Sequence, residues 1–226
     1  MSVLVVAAHP DDEVLGCGAT IAKLTAAGEV VDVLILGEGA TARADDRSCG
    51  DRGLVDRLRR DSRRAADVLG VRDVVGEQLP DNRFDTVALL DVVKLVERQI
   101  ERRAPSVVYT QHGGDVNIDH QIVFKAVLAA TRPVPGHPVQ AVLAFEVGSS
   151  TEWAFGAFAP SFHPTVFEDV TGFVDTKLEA MTCYASELRA FPHPRSPEAL
   201  QANARRWGSA VGVAAAEAFE PVRMIR

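Results

Sequence analysis

Along the first two-thirds of the chain, the pattern of apolar and polar positions alternates between two kinds of segment. Short runs rich in Val, Leu and Ile predict buried strands, and longer segments with apolar residues at helical spacing follow four of them. The predicted strands are Val3–Ala8, Val30–Leu36, Val71–Leu79, Ser106–Thr110 and Val139–Val147. The predicted helices are Glu13–Ala27, Arg52–Leu69, Val87–Arg103 and Asp119–Thr131. This alternation favours an α/β fold.

The expected architecture is a Rossmann-like, doubly wound, mainly parallel sheet with helices on both faces and a C-terminal helical extension. The character of the chain changes after Gly148, where Ser149–Pro164 is rich in aromatic residues, Ser and Pro. Beyond it we predict helices over Phe173–Leu188 and Pro197–Ala218, and a final edge strand over Pro221–Ile225. We therefore expect a single domain, with an α/β core over 1–148 and an extension over 149–226.

Composition narrows the class of partner. The chain has 226 residues, is 47% hydrophobic and carries a formal net charge of -7. An acidic protein is a poor partner for nucleic acid, and no apolar run is long enough to span a membrane. The cysteines are few and far apart (Cys17, Cys49 and Cys183), which fits a reducing compartment. With no recognisable signal peptide, we expect the protein to be cytoplasmic.

Ionisable residues follow the first predicted strand directly. Residues His9–Glu13 read His-Pro-Asp-Asp-Glu, which crowds a histidine and three carboxylates at one strand end. Such groups repel one another and cost free energy to desolvate, and a bound cation relieves both costs. The segment therefore predicts half of a metal site.

A second polar cluster occupies the equivalent position after the fourth predicted strand. Residues Gln111–Gln121 read Gln-His-Gly-Gly-Asp-Val-Asn-Ile-Asp-His-Gln and run into a helix. In doubly wound sheets, ligands bind beyond the carboxyl ends of strands, where the strand order reverses. If the order is 3-2-1-4-5, the two clusters face each other.

The candidate metal ligands are His9, Asp12 and His120. Two imidazoles and one carboxylate leave a coordination position open for water, as catalytic zinc requires, and Fe²⁺ accepts the same set. Asp11 cannot easily bind the same ion from the same side as its neighbour, so it is the candidate general base. It would take a proton from water as that water attacks a carbonyl.

These residues resemble a known family. Ala8–Glu13 with the downstream Asp119-His120 is similar to the N-acetylglucosaminyl-phosphatidylinositol de-N-acetylase family, also called PIG-L or LmbE-like. The resemblance implies zinc-dependent hydrolysis of an N-acetyl group on an amino sugar, releasing acetate and a free amine. It implies His9, Asp12 and His120 as zinc ligands and Asp11 as the base. Weaker likeness continues in Tyr184–Glu187, Pro192–Ser196 and Ala216–Phe219.

One position departs from the family pattern. Many relatives read His-Pro-Asp-His at the distal motif, where the first histidine helps to polarise the acyl oxygen, but this chain reads Asn117-Ile-Asp-His120. Asn117 can donate a hydrogen bond but not as a cation. Either His112, in the preceding loop, takes over this role, or zinc alone polarises the carbonyl.

The candidate substrate contacts lie in loops at the same predicted sheet edge. Arg43 can bind a carboxylate, a phosphate or a sugar hydroxyl, or be an ordinary solvated arginine, and Asn117 and Glu146 are further candidates. The expected partner is a small N-acetyl amino sugar. We also expect a homo-oligomer, for which the aromatic segment Trp153–Phe167 is a candidate interface.

Two other functions remain open at this stage. A magnesium-dependent phosphoryl-transfer enzyme is disfavoured, because no Walker-type glycine loop follows the first strand and histidine suits zinc better than magnesium. A non-catalytic metal-binding relative is disfavoured by the intact Asp11, although Asn117 leaves room for it.

Overall fold

A computed structural model describes residues 1–43 and 51–225, without the side chain of Arg43. The strands in this part of the chain are β1 Ser2–Ala7, β2 Val30–Gly37, β3 Asp73–Leu79, β4 Val107–Gln111, β5 Ala141–Phe145, β6 Val166–Asp169 and β7 Ala216–Met224. Its α-helices are α1 Asp12–Ala26, α2 Arg52–Leu69, α3 Leu89–Arg103, α4 Ile118–Ala130, α5 Val174–Cys183 and α6 Pro197–Val211.

The strands form one sheet in the order β3-β2-β1-β4-β5-β7-β6. The first five strands are parallel, and β7 runs antiparallel to both β5 and β6. The order 3-2-1-4-5, on which the facing of the two polar clusters was conditional, is therefore present, and β1 pairs directly with β4 through Val6 and Thr110. This pairing places the reversal of strand order between the two polar clusters.

Helices cover both faces of the sheet, as predicted. Alternate residues of β1 face opposite layers, so Val5 packs beneath α1, α2 and α5 while Val6 packs beneath α3 and α4. Because both faces are covered, the central strands are buried almost throughout and appear in the sequence as continuous apolar runs. None of the helices in the described ranges is long and apolar enough to cross a membrane.

The C-terminal third differs from the sequence prediction in four respects. Helix α5 ends at Cys183 instead of continuing to Leu188. Helix α6 ends at Val211, where Gly212 adopts a left-handed conformation (φ 81°), instead of continuing to Ala218. The predicted final strand over Pro221–Ile225 is present as part of β7, but β7 begins at Ala216 and lies between β5 and β6, so its predicted edge position was wrong. The edge strand at this end of the sheet is β6, which was not predicted. The division of the chain at residue 148 stays a prediction, although β6 and β7 extend the sheet of the preceding residues.

Helix α1 contains a break that matters for the site. Cys17 has non-helical dihedral angles (φ −144°, ψ 25°), so the first turn is offset from the rest of the helix. Lys177 on α5 donates a hydrogen bond to the carbonyl of Leu15 (2.8 Å) before the break. The carboxylate of Glu217 on β7 accepts from the amides of Ala19 (3.2 Å) and Thr20 (2.7 Å) after it. A buried ion pair between Lys177 and Glu217 (2.6 Å) therefore joins the two parts of the helix.

Candidate metal centre

The two polar clusters meet beyond the carboxyl ends of β1 and β4. His9 lies two residues after β1 and Asp12 is the first residue of α1, while His120 lies in the first turn of α4. The nitrogen and oxygen atoms that these three side chains offer all lie within 4.8 Å of one another. Asp12 Oδ2 is 3.5 Å from His9 Nδ1 and 3.3 Å from His120 Nε2. This group can hold a metal ion.

The electrostatics of the three residues fit a cation. Burial lowers the pKa of His120, but Asp12 and Asp115 outweigh it and raise the pKa to about 9. Burial raises the pKa of Asp12, yet the two imidazoles outweigh it and hold this pKa well below its ordinary value. The buried carboxylate thus attracts positive charge, which a divalent ion can supply in place of protons.

Neighbouring polar groups fix the orientation of each candidate ligand. Asp115 Oδ2 lies 3.1 Å from His120 Nδ1, and Asp119 Oδ2 lies 2.9 Å from His9 Nε2. The amide of Gln111 donates to Asp12 Oδ2 (3.0 Å). Carboxylates paired with the far nitrogen of a histidine are the usual outer partners of metal sites.

Asp119, the residue before His120, does not cap helix α4. The cap of α4 is Asn117, whose side-chain oxygen accepts from the amide of Asp119 (2.9 Å). The carboxylate of Asp119 instead accepts from the amides of Asn82 (2.7 Å) and Phe84 (2.9 Å) while it pairs with His9. A second group of possible ligand atoms, from His9, Asp81 and Asp119, shares His9 with the first.

Asp11 occupies an unusual position next to the cluster. Its backbone is left-handed (φ 101°) and its side chain is buried. Burial raises the pKa of Asp11 well above its ordinary value, and Arg195, with Nη1 2.9 Å from Asp11 Oδ2, opposes that rise. A non-glycine residue in this region of backbone space is strained, and such strain concentrates at functional sites.

His112, the second predicted catalytic residue, is buried. The Nδ1 of His112 accepts from the amide of Gly114 (3.1 Å), its Nε2 lies 3.3 Å from Glu220 Oε2, and its ring packs edge-on against Phe162. The contact with Glu220 does not have hydrogen-bond geometry, so Nε2 of His112 is buried without a hydrogen-bond partner in the described structure. Burial lowers the pKa of His112. Its catalytic role stays a prediction.

Glu146 follows β5 at the same sheet edge but is held by α6, since its carboxylate accepts from Asn203 and Trp207. It lines a cavity of about 290 Å³ to which His9, Asp12 and His120 do not contribute. The side chain of Arg43 lies outside the described residues. Substrate contacts by Arg43, Asn117 and Glu146 therefore stay predictions.

Comparison with known proteins places the chain in a family. The family model for PIG-L, GlcNAc-PI de-N-acetylase, matches residues 4–131, which include both polar clusters. The chain belongs to the PIG-L family. The predicted resemblance is thereby confirmed.

Relatives of this PIG-L chain include named deacetylases. The uncharacterized deacetylase YaiS of Escherichia coli is 31% identical over 81% of this chain and 90% of its own length. Diacetylchitobiose deacetylase of Thermococcus kodakarensis is 25% identical over 82% of this chain and 70% of its own. The structure of N,N'-diacetylchitobiose deacetylase from Pyrococcus horikoshii superposes with a TM-score of 0.79 at 19% identity, covering 98% and 84% of the two chains, and shows the same fold.

Sequence reasoning missed several residues of this PIG-L site. Arg195 and Tyr184 were not assigned to it: Arg195 donates to the carboxylate of Asp11, and the hydroxyl of Tyr184 donates to the carboxylate of Glu13, which belongs to the first polar cluster. Tyr184 and Arg195 belong to the C-terminal segments that resembled bacterial relatives, so a signal was present, but nothing in the sequence placed them near residue 11.

Proposed function

We propose that this protein is a metal-dependent N-deacetylase that removes an acetyl group from an amino sugar or amino-sugar conjugate. The observation that carries the proposal is the convergence of His9, Asp12 and His120 on one point, with the carboxylate of Asp11 directly adjacent. The named deacetylases among the relatives support the reaction, and diacetylchitobiose deacetylase supports the class of substrate.

His9, Asp12 and His120 would hold the metal, and their donor set of two imidazoles and one carboxylate suits zinc. Fe²⁺ accepts the same donors, so elemental analysis of the purified protein has to distinguish the two. When bound, either ion supplies Lewis-acid polarisation and a water molecule of lowered pKa. Magnesium-dependent phosphoryl transfer fits less well, because magnesium prefers oxygen ligands in octahedral geometry.

Asp11 carries the proton transfers in this proposal. It accepts a proton from the attacking water and returns it to the nitrogen as the C–N bond breaks, which yields acetate and a free amine. A buried carboxyl group with a raised pKa suits both steps. It binds a proton more tightly than a solvated carboxylate does, and it is already shielded from water.

The first test is amine release. Zinc-loaded protein is incubated with N-acetylglucosamine, its glycosides and diacetylchitobiose, and free amine is measured. Asp11→Asn should retain the metal but lose about 10²- to 10⁴-fold in turnover, the range expected for general-base catalysis. Asp85→Asn, at an exposed carboxyl group, is the matched control and should behave like the wild type.

Three results would contradict the proposal. They are an Asp11→Asn protein with undiminished turnover, full activity after the metal has been removed, and a metal-loaded wild type that releases no amine from any N-acetyl sugar. The last result would favour the non-catalytic metal-binding alternative.

A further inference from the structure

Arg195 contacts the candidate base Asp11 from the loop between α5 and α6. Its Nη1 donates to Asp11 Oδ2 (2.9 Å) and lies 3.5 Å from Glu187 Oε2, and its Nε donates to Ser149 Oγ (2.8 Å). Asp11 and Arg195 are 184 positions apart in the sequence. A side chain held at three points is preorganised, which is what a group that stabilises developing charge requires.

The two residues first considered for polarising the acyl oxygen are each held by a hydrogen bond from a backbone amide outside the set of candidate ligands. The side-chain oxygen of Asn117 caps α4 by accepting from the amide of Asp119. The ring of His112 is held by the amide of Gly114 on one side and faces Glu220 and Phe162 on the other. Within the described ranges, neither residue forms a hydrogen bond or an ion pair with Asp11, Asp12, His9 or His120.

Arg195 still has a donor available for a ligand. Its Nη2 has no partner in the ranges 1–43 and 51–225, and 24% of its side chain is exposed. Oδ1 of Asp11 likewise has no partner in those ranges, so the base offers one oxygen to water while the other binds Arg195. A guanidinium bonded to one oxygen of the base therefore lies beside the place where the reacting group must sit.

We propose that Arg195 donates a hydrogen bond to the acyl oxygen of the substrate and takes the role that a histidine has at position 117 in many relatives. This inference rests on the proposed deacetylase function. Water adds to the acyl carbon, the carbonyl electron pair moves to the oxygen, and Asp11 takes the proton. The oxyanion then collapses, the C–N bond breaks, and the proton passes from Asp11 to the nitrogen. Arg195 stays protonated throughout and stabilises the oxyanion.

The alternative is that Arg195 only holds Asp11 in place. The two roles predict different effects of Arg195 on the affinity for a tetrahedral inhibitor. An N-methylphosphonyl amino sugar carries anionic oxygens where the acetyl oxyanion would form, so it gains from a cation that contacts that oxygen. A residue that only positions the base affects turnover without a matching effect on the affinity of this analogue.

The experiment compares wild type, Arg195→Gln and Arg195→Lys with zinc bound. Arg195→Gln should lower kcat by about 10²- to 10³-fold, as loss of an oxyanion donor does, with little change in KM. Its affinity for the phosphonyl analogue should fall in parallel with kcat/KM, and Arg195→Lys should recover part of both. Arg189→Gln is the matched control, because this exposed arginine in the same segment bonds only the carbonyls of Ser186 and Leu188.

Metal content and near-ultraviolet circular dichroism establish that each variant is folded and loaded. Loss of kcat with unchanged analogue affinity would reduce Arg195 to a positioning residue and overturn the proposal, as would full activity of Arg195→Gln. The analogue titration requires no turnover. A wild type that binds the analogue through Arg195 but deacetylates nothing therefore overturns the proposed function while leaving the contact intact.

Discussion

At the scale of single residues, the candidate ligands depend on partners that sequence reasoning did not assign. Asp115 is the clearest example, because its carboxylate lies 3.1 Å from His120 Nδ1 and also accepts from the hydroxyls of Ser150 and Thr151. The hydroxyls hold the carboxylate in place, and the carboxylate fixes which nitrogen of His120 is available to a metal. Outer partners of this kind set the basicity and the orientation of the ligand.

Replacing Asp115 should lower the affinity for metal more than it lowers the stability of the fold. Asp115→Asn keeps the size of the side chain but loses the charge that faces His120, and we expect about a 10- to 100-fold loss of zinc affinity. Competition against a chromogenic chelator measures this directly. Asp91→Asn, at an exposed position on α3, provides the comparison. Equal zinc affinity in Asp115→Asn and wild type would show that Asp115 does not tune the site.

The residues accessible to sequence reasoning share one property. His9 and Asp12 belong to a polar cluster that follows one apolar strand, and His120 belongs to a cluster that follows another, and burial of such charge demands an explanation. Their convergence could therefore be predicted from residue type and strand order. Arg195 follows no strand and contacts Asp11 from a loop between α5 and α6, so its position depends on packing that no local pattern records.

At the scale of elements, α1 is the part of the fold that carries the site. Its first turn contains Asp12 and ends at the break near Cys17. The two helical segments that meet at this break would each leave backbone groups without hydrogen-bond partners. Lys177 and Glu217 supply those partners from α5 and β7. The ion pair is buried, with 8% and 5% of the two side chains exposed.

Breaking this ion pair should be costly, and removing it entirely should cost less. Lys177→Met leaves the charge of Glu217 buried, and loss of one partner from a buried pair typically costs about 3–5 kcal/mol. Lys177→Met with Glu217→Gln removes both charges, so the double variant should be destabilised by less than the sum of the single variants. Urea unfolding with zinc present measures all four proteins. Effects that add to within about 0.5 kcal/mol would show that the two residues act independently.

The sequence of β7 explains why the boundaries of the elements in the C-terminal third were predicted wrongly. The first four residues of β7 are Ala-Glu-Ala-Phe, all buried, so the run shows neither the alternation of a one-faced strand nor a β-branched composition. Alanine and glutamate favour helices, and the preceding helix α6 extends the same composition. The neighbouring strands β5 and β6 make this segment a strand, and that influence is tertiary.

At the scale of the whole molecule, the site draws on both ends of the chain. The strands β1 and β4 lie at the centre of the sheet, while Glu217 reaches α1 from β7, 198 positions after Ala19. The family match covers 4–131, yet Arg195 and Glu217 lie beyond it. A fragment that ends with the matched region would therefore contain the candidate ligands without the groups that support α1.

Deletion of residues 212–226 should abolish cooperative folding. The truncated chain loses β7, exposes the edges of β5 and β6, and leaves Lys177 without its carboxylate partner. We expect a loss of the sigmoidal urea transition and of zinc binding, and deletion of residues 225–226 alone serves as the control. A truncated protein that unfolds cooperatively at the wild-type urea midpoint would disprove this dependence on β7.

The left-handed backbone of Asp11 has a practical consequence for anyone who redesigns this enzyme. Only asparagine, aspartate and glycine visit that conformation at small cost, and branched side chains resist it strongly. A randomised library at position 11 will therefore report conformational tolerance together with any effect on the proposed proton transfers. Asparagine separates the two, because it keeps the shape of the chain while it abolishes the basicity of the side chain.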